Sequence, residues 1–180
     1  HRDAEIEDDR SVVGLSQSLS EHQSWTGEFA QRIAEKLSFD ELLTSTLVHA
    51  ARLHDEGKRA ARWQTAFNAR AYSPDGGEPL AKTGGPILQS VLAGYRHEFG
   101  SRAHVERSPD WQGLDPSARE TVLHLVAAHH GNARPTLRST SCDDAPPSVL
   151  KAREQGVALR FLAQQRRWGP WGLAWLETLL

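Results

Sequence analysis

The chain alternates stretches of helical hydrophobic periodicity with polar breaks, and the first clear pattern begins at Ser20. Trp25, Phe29, Ile33 and Leu37 recur every four residues with Ala30 and Ala34 beside them, which predicts a helix that buries this stripe. His22 falls one turn ahead of Trp25 and so shares the predicted buried face with Trp25 and Phe29. A second helix is expected over residues 39–55, opened by Asp40 as N-cap, with Leu43, Leu47, Ala50 and His54 on one line. A third, over residues 58–71, turns Trp63 and Phe67 inward and Arg59, Arg62 and Arg70 outward. Residues 72–86 read as loop from their Gly and Pro content, with Lys82 ahead of a Gly-Gly pair. Residues 88–99 predict a short helix through Leu88, Val91, Leu92 and Tyr95 that leads into Arg96-His97-Glu98. A polar connection at Pro109-Asp110-Trp111 follows, then a strongly amphipathic helix over residues 117–130 through Val122, Leu125, Val126 and His129. Residues 131–147 are irregular. A last helix over residues 148–166 then breaks at Trp168-Gly169-Pro170-Trp171 before the apolar end Leu173, Trp175, Leu176, Leu179, Leu180. The sum is an all-α chain, a compact helical bundle.

Composition narrows this picture without naming a chemistry. With 180 residues the chain suits one domain with a proper core, and no apolar run approaches the ~20 residues of a membrane span, so no membrane partner is expected. A net charge of −2 gives no global basic field, so any nucleic-acid contact must come from a local patch. The single Cys142 excludes an internal disulfide framework and, with no visible signal peptide, predicts a cytoplasmic protein. Acids at Asp3, Glu5, Glu7, Asp8 and Asp9 predict a flexible arm over residues 1–15, ahead of one domain over residues 16–180. The absence of any methionine predicts a chain cut from a longer one.

Candidate chemistry centres on Leu53-His54-Asp55-Glu56-Gly57-Lys58. A neutral imidazole and a carboxylate suit zinc, iron, manganese, cobalt or nickel, and a carboxylate has two oxygens with which to bridge two ions. Neighbouring helical residues point about 100° apart, so both reach one centre most easily where the helix ends. Gly57 is the expected helix stop, and Lys58 beyond it can meet a phosphate as a point charge. An isolated His-Asp at a helix end is also an ordinary exposed stop, and a lone His at a helix start, such as His22, more often caps or packs. His129, on an apolar face and followed by His130 and Gly131, is harder to explain by packing alone. His49 and His124 are read as structural or outlying.

The whole pattern resembles the HD metal-dependent phosphohydrolase superfamily, and within it the HD nuclease domain of the CRISPR-associated helicase-nucleases of type I interference. The matching residues are His22 in Ser-Glu-His-Gln-Ser-Trp, His54-Asp55-Glu56-Gly57-Lys58, Arg96-His97-Glu98 and His129-His130-Gly131. The resemblance implies two divalent metal ions, drawn from manganese, nickel, cobalt, iron or magnesium. It implies His22, His54 and Asp55 on one ion, with Asp55 bridging, and His97, His129 and His130 on the other. Asp55 and Lys58 are the implied catalytic pair, with Lys58, Lys82, Arg134 and Arg138 facing substrate. The implied substrate is DNA, single-stranded in this family, and the implied partner is a helicase domain or effector complex in antiviral defence. The family also carries a late Asp just beyond the segment like 171–180, and the chain is expected to lack that ligand. A nucleotide phosphohydrolase and a non-catalytic docking module remain the alternative readings.

Overall fold

A computed structural model describes residues 14–67, 77–131 and 147–180. The chain runs β1 (Gln17–Ser18), α1 (Leu19–Lys36), α2 (Glu41–Leu53), a 3-10 turn (Glu56–Arg59), α3 (Ala61–Ala66), β2 (Leu80–Lys82), α4 (Gln89–Leu92), α5 (His97–Val105), α6 (Pro109–Gly113), α7 (Pro116–Ala128) and α8 (Pro147–Thr178). The fold is all-α, with the short antiparallel β1–β2 ladder as its sheet. No helix among the described residues is long and apolar enough to cross a membrane.

The start of α1 is set by a capping box. Glu21 N donates to Ser18 Oγ and Ser18 N donates to Glu21 Oε2, each at 3.2 Å, so two otherwise unpaired amides are satisfied. The face that α1 buries differs from the expected one. It carries Leu19, His22, Gly27, Ala30 and Ala34, while Trp25 and Phe29 stand 54% and 49% exposed. The cause is close packing: α2 presents Leu47, Ala50 and Ala51, and Thr26 Oγ1 reaches the Ala51 carbonyl at 3.0 Å, a separation that leaves room for small side chains only.

Two further expected helices are each divided in two. Residues 58–71, of which 68–71 lie outside the described residues, are expected as one helix, but the 3-10 turn ends at Arg59 and α3 starts anew after Ala60 at ψ 131°. Residues 88–99 break where Ala93 and Gly94 take positive φ of 47° and 83°. His97 therefore opens α5 instead of closing its predecessor. Asp110 and Trp111, expected in a connection, lie in α6. Lys82, expected in a loop, pairs in β2 with Gln17 of β1. Gln64 fastens this ladder from below, donating to the Lys58 and Leu80 carbonyls at 2.6 and 2.9 Å and accepting from Leu80 N at 2.9 Å.

The core sits between α2, α5, α7 and α8, where Leu53, Val105, Val122, Leu125, Val126 and Leu176 pack together. α7 is more than amphipathic, since every residue from Thr121 to Ala128 is buried. The expected break near residue 169 is present, with Gly169 at φ 69° before Pro170. Beyond it His124 of α7 meets Glu177 at 2.7 Å, a buried polar tie between the two helices.

Candidate metal centre

Two helix starts and two helix ends bring the polar residues of the core to one place. His22 lies in the first turns of α1, His54 and Asp55 follow the last turn of α2, His97 begins α5, and His129 and His130 follow α7. The departure from helix at the end of α2 is what lets adjacent residues converge. His54 keeps helical angles while Asp55 turns to φ −98°, ψ 6°, and His54 Nε2 then lies 3.4 Å from Asp55 Oδ2. Gly57 acts differently from the expected helix stop, because it has no positive φ. Its hydrogen faces α5 so closely that a Cβ would stand 2.6 Å from Ser101 N and against the His97 carbonyl. Ser101 Oγ accepts from Gly57 N at 2.7 Å and lies 2.8 and 2.9 Å from the His54 and His97 carbonyls, tying α2 to α5 beneath the site.

Asp55 is the centre of the cluster and is 2% exposed. Its Oδ2 lies 3.3 Å from His22 Nε2 and 2.9 Å from Lys58 Nζ, while Oδ1 lies 3.1 Å from His97 Nε2. The two carboxylate oxygens thus face two separate sets of imidazoles. On the far side His97 Nε2 meets His129 Nε2 at 3.3 Å and His130 Nε2 at 3.2 Å. Two groups of three ligand atoms result, His22 with His54 and Asp55, and His97 with His129 and His130, each compact enough to hold one metal ion.

The tautomers support ligation. His54 Nδ1 and His129 Nδ1 each lie 2.6 Å from a carbonyl, of Ala51 and Val126, and a carbonyl can only accept, so each Nδ1 carries the proton. His22 Nδ1 faces Gln17 Oε1 at 3.1 Å in the same sense. Each ring then turns its Nε2 into the cluster, where it holds a proton toward Asp55 or, once that proton leaves, offers a lone pair to a metal. Outer hydrogen bonds orient metal-binding imidazoles in this way. Lone pairs of several nitrogens within 3.3 Å repel unless a proton or cation lies between them. The residues present therefore fit divalent ions with nitrogen and oxygen donors.

Electrostatics point the same way. Burial pushes the Asp55 carboxyl up, but the charges of His54 and Lys58 and hydrogen bonds from His22 and His54 outweigh it and hold Asp55 well below the usual carboxylate range. Burial, and then repulsion from His54, His97 and His130, holds His129 well below the ordinary imidazole value. Burial also lowers His22, against the pull of Asp55. An anionic carboxylate and neutral imidazoles are the ligating forms.

A cavity of about 390 Å³ opens onto this cluster, lined by His22, His54, Asp55, Lys58, Lys82, His129 and His130, with Trp25, Phe29, Leu179 and Leu180 on its apolar side. Lys58 is 1% exposed, and besides Asp55 its Nζ donates to the Ala81 carbonyl at 3.2 Å. Arg134 and Arg138 lie outside the described residues. Two contributors, Gln17 and Trp63, belong to none of the quoted motifs. Gln17 holds His22 from five residues upstream, and Trp63, fully buried, sets its ring 4.6 Å from that of His97. Glu98, also fully buried, approaches His97 Nδ1 at 3.9 Å and is held by Arg96 at 2.5 Å.

The family model for the Cas3 HD domain matches residues 14–176. The chain belongs to the Cas3 HD-domain family. This is a family of CRISPR-associated nuclease domains, hydrolases of the metal-binding HD type. The match spans β1 through most of α8 and so takes in every helix end of the Cas3 HD cluster. No curated protein and no solved structure matches the chain in the corresponding comparisons.

Proposed function

We propose that this domain is a two-metal nuclease that hydrolyses phosphodiester bonds of DNA, acting on a single strand in CRISPR antiviral defence alongside a helicase domain or effector complex. The observation that carries the reading is Asp55, whose two oxygens face two histidine sets at 3.1–3.4 Å. In this reading His22, His54 and Asp55 hold one ion, His97, His129 and His130 hold the other, and Asp55 joins them. When bound, such ions supply Lewis acidity and lower the pKa of water toward about 7.

The chain's own residues supply the rest. Lys58 keeps Asp55 ionised and in place, and its charge faces the cavity a phosphate would enter. Lys82 meets the strand from β2, with Arg134 and Arg138 as further phosphate contacts. Glu98 stands 3.9 Å behind His97 Nδ1, beyond direct hydrogen-bond distance, and is itself fixed by Arg96. Leu179 and Leu180 line the apolar side of the same cavity.

Circular single-stranded DNA tests the reading, because an uncapped ring can be opened only by internal cleavage. With manganese, nickel or cobalt the domain is expected to linearise and degrade it, and Asp55→Ala to lose that activity while keeping its helical spectrum. Release of phosphate or triphosphate from mononucleotides, with the ring left intact, would assign the site to a nucleotide phosphohydrolase instead.

A further inference from the structure

The cavity beside the cluster has an apolar half that hydrolysis does not use. It follows α1 away from His22 and is lined by Trp25, Phe29 and Ile33. Trp25 is 54% exposed and Phe29 49%, although aromatic rings of this size normally go into a core. The two rings touch, with centroids 5.4 Å apart and planes tilted by 53°. Cations flank them. The Arg32 guanidinium lies 4.8 Å from the Phe29 centroid, and Lys82 lines the same cavity. An aromatic pair bordered by cations and continuous with a phosphate-cleaving centre has the composition of a surface that binds bases and backbone together. The scale also fits. At about 1.5 Å of rise per residue, Trp25 and Phe29 lie roughly 4.5 and 10.5 Å along the helix from His22, a span of about one to three nucleotides at roughly 3.4 Å each.

We infer that Trp25 and Phe29 form a stacking platform for the unpaired bases next to the scissile phosphate, with Arg32 and Lys82 facing the adjoining phosphates. This rests on the nuclease reading of the cavity. Every base has a π face, so such a platform is indifferent to sequence, but it requires bases whose faces are free. Selection of single strands over duplex then resides in α1 and not in the metal ligands.

The test uses two fluorescent oligomers of equal length and charge, one of thymidines and one of abasic spacers, with binding read by anisotropy in a metal chelator so that no cleavage intervenes. The parent chain is expected to bind the thymidine oligomer about tenfold or more tightly than the abasic one. Trp25→Ala and Phe29→Ala should each erase most of that difference, and Trp25→Tyr should keep it, with unchanged thermal midpoints showing that the fold is intact. Equal affinity of the parent for both oligomers, binding of neither, or an undiminished preference in the alanine variants would overturn the platform. The first of these is also the result if the aromatic pair is instead covered by an apolar protein segment. Failure of the nuclease reading itself appears separately, as no hydrolysis of bis(p-nitrophenyl) phosphate by the parent chain in manganese.

Discussion

A histidine whose Nδ1–H is committed to a backbone carbonyl has only its Nε2 lone pair left to offer, and His54 and His129 are both in that position. Removing such a ring takes away a nitrogen that faces the proposed metal site and leaves the carbonyl behind it to water. His54→Ala and Asp55→Ala are therefore expected to abolish metal-dependent cleavage while circular dichroism stays that of the parent; a folded variant that still cuts would refute the roles assigned. The same residues set a pH dependence. Burial holds His22 and His129 below 6.5, so the unfolded chain takes up protons that the fold refuses. Stability without metal is then full above about pH 6.5 and declines as the pH falls below it. The urea midpoint of the metal-free domain should drop between about pH 7.5 and about 5.5, and drop less in His129→Gln. Asp55 does not confound that window. Its depressed carboxyl contributes stability that is lost only as the pH falls below 3.8.

At the scale of elements, the site depends on how closely α2, the 3-10 turn and α5 approach. Gly57→Ala pushes a methyl group onto the Ser101 amide and His97 carbonyl, backbone atoms that cannot move aside cheaply. The expected cost is about 1–3 kcal/mol or more, read from chemical denaturation, with His97 displaced and metal affinity weakened; a fully stable variant with parental metal affinity would contradict this packing role. The same element shows where the sequence was legible. Periodicity located the bundle, and short motifs singled out the residues the fold gathers around Asp55, because ligands at helix ends leave compact local signatures such as His54-Asp55 and His129-His130. What stayed hidden was set by packing between distant elements. Nothing near Gly57 announces that His97 lies above it, and Gln17 and Ser101 meet their partners through the fold alone. The four-residue stripe at Trp25 and Phe29 misled for a related reason. α2 approaches the neighbouring face of small residues instead and leaves the aromatic stripe in the cavity.

For the whole molecule, the cluster joins α1, the end of α2, α5 and the end of α7, so ions bound there should stabilise the entire fold. At a hundredfold excess over Kd, binding at one site adds about 2.7 kcal/mol, or roughly 5–10 °C in Tm for a domain of this size. A manganese-dependent rise in Tm that is absent in Asp55→Ala is the expected result, and an equal rise in both proteins would place the ions elsewhere. The central claim is that Asp55 joins two ion sites into one centre. Counting metal per chain by mass spectrometry, after loading with manganese and removal of free ions, tests it most directly. About two ions are expected in the parent, about one in His129→Ala and none in Asp55→Ala. Parental metal content in both variants would contradict it.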